Sequence, residues 1–247
     1  MVTRLWPEEE WRSETKVTDL LNRYFYFFMS LLIAVVVVYS FSHTVDKRLI
    51  HATPVRPVLL YFHAGVFSGW VVLFIVQSTL ARMRRVRLHR QLGGFGVALG
   101  AAIPVLGIGT AVSMARFNIR HFGSADEASG LIISFFDMTA FIFSFAAAIY
   151  LRKRPEFHRR LLLIASCALT AAAFARFPSY IVPPGWFYAG VDTLILLGVT
   201  RDLIFDRRIH PVYLYALPAL VVGQVIVVYT AIHDLPYWVR IGTAMLR

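Results

Sequence analysis

The chain is poor in cysteine and in acid. Its one cysteine, Cys167, falls inside an apolar stretch. A single thiol excludes an internal disulfide, a cysteine-based zinc site and a cysteine-ligated iron–sulfur cluster. Charged residues make up only 16% of the 247 positions, where a soluble domain carries about 25%. Asp and Glu number 14 against 25 Lys and Arg. No His-Glu-x-x-His, His-x-x-x-His or Gly-x-Ser-x-Gly segment occurs, so the common zinc-hydrolase and serine-hydrolase signatures are missing.

What is present is apolar. Hydrophobic residues make up 58% of the chain, and the mean hydropathy is +0.63. A membrane span needs about 20 mostly apolar residues. Seven stretches qualify: 22–42, 57–80, 92–114, 130–151, 160–177, 186–205 and 211–232, the fifth being short. The expectation is an all-α integral membrane bundle of seven transmembrane helices occupying 22–232. It is flanked by a polar interfacial segment, 1–21, and by an amphipathic interfacial tail, 233–247. Charges of both signs precede the first stretch, which does not read as a secretory signal. Pro54, Pro57, Gly123, Pro155, Pro183-Pro184-Gly185 and Pro211 fall where loops should be. The third stretch is glycine-rich, with Gly93, Gly94, Gly96, Gly100, Gly107 and Gly109, and should pack closely against neighbours.

The formal charge of +11 comes from short basic loops that bind anionic lipid head groups and set topology. It does not indicate nucleic acid. Most of the 25 basic residues fall on one side, in clusters such as Arg82 to Arg90 and Arg152 to Arg160. The positive-inside rule then puts the N-terminus in the cytoplasm and the C-terminus outside.

Ionisable residues inside a bilayer are costly and mark functional positions. His63, Asp137 and Asp192 each lie about six residues inside the second, fourth and sixth stretches, roughly 9 Å down at ~1.5 Å per residue. One imidazole and two carboxylates suit a divalent metal such as zinc, iron or manganese. They equally suit a proton relay or pocket, or a structural set in which Asp137 or Asp192 pairs with Arg176. His63, Trp70 and Gln77 are seven apart and share a helical stripe facing the interior. Trp70, Gln77 and Arg176 are supporting residues of this outer layer.

A second layer lies at the cytoplasmic side. Three spans begin after a basic loop with histidine: Leu88-His89-Arg90, Phe157-His158-Arg159-Arg160 and Ile209-His210-Pro211. This is a weak threefold repeat. His89, His158 and His210, with Arg90 and Arg160, are candidate cofactor ligands, because paired imidazoles from facing helices clamp a b-type heme or a metal. Anchoring of lipid phosphates by His-Arg pairs and an anionic or quinone-like ligand are the alternatives.

At Leu88-His89-Arg90-Gln91-Leu92-Gly93 and Phe157-His158-Arg159-Arg160-Leu161 the chain resembles a large set of bacterial multipass membrane proteins grouped under a domain of unknown function. The matched pattern runs in order through His63, Gln77, His89 to Gly93, His158 to Arg160 and Arg176. Asp137, Asp192, Asp202 and His210-Pro211 are similar to its closer relatives. The resemblance covers spans two to seven. The His-Arg-Arg-Leu helix start is also similar to a smaller membrane family linked to maturation of heme–copper oxidases, which implies heme, metal or redox work rather than transport. The expected function is therefore cofactor binding, heme or divalent metal, in a redox or redox-enzyme-maturation role in a bacterial cytoplasmic membrane. The alternatives are an accessory or scaffold subunit that binds a membrane protein partner or lipid, and a metal-dependent membrane hydrolase.

Overall fold

A computed structural model describes the backbone of residues 8–124 and 126–247, with side chains from Asn22 onward. Residues 1–7 of the expected interfacial segment lie outside the described residues. The described chain is all-helical, without strands. Its helices are α1 (Glu8–Ser42), α2 (Val58–Arg82), α3 (Val86–Phe122), α4 (Glu127–Tyr150), α5 (Pro155–Ala168), α6 (Ala171–Phe174), α7 (Phe187–Arg201), α8 (Pro211–Ile232) and α9 (Pro236–Leu246). Two π-helical turns, Asp46–Ile50 and Asp202–Asp206, follow α1 and α7. The backbone of 8–21 is helical and runs on into the first span as one helix, Glu8–Ser42.

Breakers sit where capping physics places them. Pro155, Pro211 and Pro236 occupy first-turn positions, where a missing N–H costs nothing. Gly123 ends α3 in the left-handed conformation, φ 64°, the usual glycine stop.

Among the described residues, six helical segments are long and apolar enough to cross a membrane: Asn22–Ser42, Val58–Arg82, Val86–Phe122, Glu127–Tyr150, Pro155–Phe174 and Pro211–Ile232. The protein is thus a multipass membrane-type helical bundle. α7 is not among the six. Its 15 residues span only ~22 Å at ~1.5 Å per residue, short of the roughly 30 Å of a hydrocarbon core.

Successive helices pack as neighbours, α2 on α3, α3 on α4 and α4 on α5, while α4 also carries α8 and α9. α1 lies across α2, α5 and α6. Many large apolar side chains point outward, among them Val38, Phe62, Val105, Phe143 and Val225, as lipid contact requires. The exception is α5. Leu163, Ile164, Ala165 and Cys167 are fully enclosed. The expected fifth span at 160–177 starts at Pro155 instead and breaks at Leu169-Thr170 before α6. Thr170 bonds the Cys167 carbonyl at the break, 2.6 Å, and Ser40 of α1 bonds the Ala173 carbonyl, 2.6 Å. Polar side chains therefore close the backbone groups that the break releases.

The expected interfacial tail is a clasp. The Trp238 indole N–H donates to the Ala128 carbonyl, 3.1 Å. Ser129 donates to Asp234, 2.5 Å, and Arg116 of α3 donates to the Met245 carbonyl, 2.8 Å. Gly242 lies against the Ala128 backbone so closely that a Cβ there would overlap the main chain. Backbone cannot swing aside as a side chain can. Gly242→Val is expected to lift α9 and lower stability by about 1–3 kcal/mol, the usual range for overpacking. Thermal unfolding in detergent, with limited proteolysis of the C-terminal helix, checks this.

Candidate functional site

His89 and His158 occupy equivalent places. Each is the fourth residue of its helix, α3 and α5, and each backbone N–H bonds the residue just before the helix, Arg85 or Arg154. Both residues line one partly open cavity of about 80 Å³ bordered by α2, α3, α4 and α5. Trp70, Leu73, Phe74, Phe145, Ile149 and Leu162 form its apolar wall; Gln77, His89 and His158 supply its polar groups.

These polar groups are incompletely satisfied within the protein. The His158 Nδ1 lies 2.8 Å from the Ala148 carbonyl. A carbonyl can only accept, so Nδ1 carries the proton and a neutral ring keeps its Nε2 lone pair free. The Gln77 amide N–H donates to the His89 carbonyl, 3.2 Å. Its Oε1 is buried without a partner, as is the His89 Nδ1. Buried polar atoms left unmatched are uncommon and call for an explanation.

The other expected inner-layer residues stand elsewhere. His210 does not line the cavity. It is the N-cap of α8, its Nδ1 accepting the Val212 N–H at 3.2 Å, with its ring edge-on to Phe157. The threefold repeat fails in register here, because Pro211 opens α8 after His210 whereas Pro155 opens α5 before His158. Arg90 is exposed. Arg160 is enclosed and has no donor to spare. Its guanidinium grips Asp202 through Nε and Nη2, at 2.8 and 2.7 Å, and also meets Asp206 and Glu156. Arg201 bonds Asp202 and Asp206 at 2.8 and 2.6 Å, and reaches Asn22 of α1 at 2.5 Å. This network ties α1, α5, α7 and the π-helical turn together. Sequence reasoning passed over Glu156, Arg201, Asp206 and Asn22; the Glu156–Arg160 spacing of four was the available signal.

Burial, and after it the nearby Arg160 guanidinium, holds the His210 imidazole below its ordinary value. The neutral ring is the one that caps α8. The folded state thus binds fewer protons than the unfolded one, and this stabilisation is complete above pH ~6.5 and fades as pH falls below it. His210→Asn, which caps without titrating, is expected to flatten that slope in a thermal-stability profile from pH 8 to 5.

Among the described residues His63, Asp137 and Asp192 form no three-residue metal group. Asp137 accepts from the Tyr188 hydroxyl, 2.7 Å, and Asp192 from the Gln224 amide, 2.9 Å. His63 stacks on Phe67 with its Nδ1 unmatched. Asp137 lies ten residues into α4 rather than six, yet meets Tyr188 in the first turn of α7. α7 therefore begins deep in the bundle. Neither Asp pairs with Arg176, which caps the Ala172 carbonyl and lies over the Phe41 ring, 4.7 Å from its centroid. Trp70 donates to Ser166, 3.3 Å, and belongs to the inner cavity. Among the described residues no group of three or more His, Cys, Asp or Glu is placed to hold a metal ion.

Compared with protein-family models, curated proteins and solved structures, the chain matches none.

Proposed function

We propose that this is a cofactor-binding protein of a bacterial cytoplasmic membrane, serving a redox reaction or the maturation of a redox enzyme. Its site is the cavity between α2, α3, α4 and α5. One observation carries the reading: His89 and His158, from different helices, line a single cavity that also holds the unmatched Gln77 oxygen. Imidazoles so placed ligate heme iron or a metal ion. Space favours the smaller ligand. A cavity of about 150 Å³ holds one benzene ring, so at about 80 Å³ an ion with a water fits inside, whereas a porphyrin would have to extend out through the open side. In this reading α7 and its π-helical turn form a seventh, short crossing, with the N-terminus cytoplasmic and basic loops resting on anionic lipid.

Purification in mild detergent, followed by a reduced-minus-oxidised spectrum and elemental analysis, tests the proposal. About one equivalent of heme or metal per chain is expected, and its loss in the His89→Leu/His158→Leu double variant. Wild-type protein that is folded but carries neither, and takes up neither when supplied, refutes it.

An accessory-subunit reading draws on Gly65 and Gly94, where an added Cβ would meet no other part of the protein within 4 Å, which leaves room for a partner helix. It predicts that His89→Leu alters stability but no bound group.

A further inference from the structure

We infer that the ligand of this cavity is a single late transition-metal ion, held by His89 and His158 with the Gln77 side chain beside them as a supporting group, and that the cuprous ion suits it best. The inference rests on the cofactor reading above and names the cofactor. Three features point to a cation. The unmatched Gln77 Oε1 can only accept, so it seeks a cation or a donor and repels an anion. His158 is fixed in the tautomer with Nδ1 protonated by its bond to the Ala148 carbonyl, the outer-sphere arrangement that orients ligating imidazoles. The His89 Nδ1 is likewise buried without a partner.

The surroundings then select the charge. No carboxylate lines the cavity, so a divalent ion would keep its full charge beside two helix N-termini, whose partial charge is positive. Exposed Arg87 and Arg90 on the same turn of α3 add to that cost. A monovalent ion content with two neutral nitrogen ligands is disfavoured least. Imidazole serves copper well, and the cuprous state meets both conditions.

The test uses the full-length protein in detergent, with cuprous ion delivered from a chromophoric chelator and zinc as the divalent probe. One cuprous ion per chain is expected, bound at least tenfold more tightly than zinc. His89→Leu and His158→Leu should abolish stoichiometric uptake. Gln77→Leu should weaken it roughly ten- to hundredfold, as loss of a supporting group at a metal site does. His233→Leu, distant at the end of α8, should leave uptake unchanged. If the histidine variants do not fold, Gln77→Glu decides. It places a carboxylate beside the ion and adds a negative charge, so it should move the preference toward zinc, which a Gln77 remote from the ion would not do. No uptake of either ion by folded wild type, or uptake indifferent to these variants, overturns the inference. Heme bound in place of metal overturns it while sparing the cofactor reading; neither heme nor metal defeats both.

Discussion

Arg160→Leu should be the most damaging single substitution in the chain. Arg160 is 1% exposed and Asp202 is fully enclosed. Removing the guanidinium leaves the Asp202 carboxylate with Arg201 alone, and strips Asp206 and Glu156 of one partner each. Breaking a buried ion pair from one side costs about 3–5 kcal/mol, because the remaining charge stays desolvated. Thermal unfolding in detergent should show a correspondingly large fall in midpoint. The double variant Arg160→Leu/Asp202→Leu should recover part of it, since removing both partners leaves a smaller uncompensated charge. If the double variant is as unstable as the sum of the two singles, the pair is not coupled as described.

Gly100→Ala carries the second large effect. A Cβ at Gly100 would overlap the Phe145 ring. That ring cannot turn freely: it stacks on Phe141, with centroids 5.4 Å apart, and meets Trp70 edge-on at 5.5 Å. The methyl group must displace the ring, at about 1–3 kcal/mol. Because Phe145 also lines the His89–His158 cavity, the displaced ring changes the volume available to a ligand. Reduced stability together with weaker metal uptake is expected. Phe145→Leu in the Gly100→Ala background should restore stability by giving the methyl group room. Stability lost without any change in uptake would show that ring and site are independent.

Much of this architecture is readable from hydropathy and punctuation. Long apolar stretches, first-turn prolines and Gly123 mark the helices because lipid forces backbone groups to pair within each segment. The grouping of His89 and His158 was legible in part: both were read with His210 as histidines at helix starts, and two of the three line one cavity. The depth of Asp137 was not. Counting residues from the start of an apolar stretch assumes that every helix begins at the same level, whereas α4 extends outward to meet α9 and α7 starts within the bundle. Tyr188 and Gln224, which take up Asp137 and Asp192, are ordinary aromatic and polar residues with no motif around them. α5 looked weakest by composition because its polar residues bond inside the protein, with Arg160 held by Asp202 and Ser166 by Trp70. Hydropathy reports affinity for lipid, and this helix touches little of it.

That seclusion bears on how the chain reaches its final state. The segment Pro155–Phe174 has a mean hydropathy of 1.3, against 2.0 for α4 before it. An arginine costs an inserting helix up to about 2.5–3.5 kcal/mol at its centre and less toward its ends; Arg160, in the second turn, finds its carboxylates only when Asp202 and Asp206 have been synthesised. During biogenesis α5 is therefore a poor passenger on its own. It is expected to enter as the second arm of a hairpin with α4, against which it packs, and to settle when the α7 segment arrives. The order of synthesis sets when the inner cavity closes: its walls come from residues up to Leu162, yet the helix that carries His158 is locked only some forty residues later.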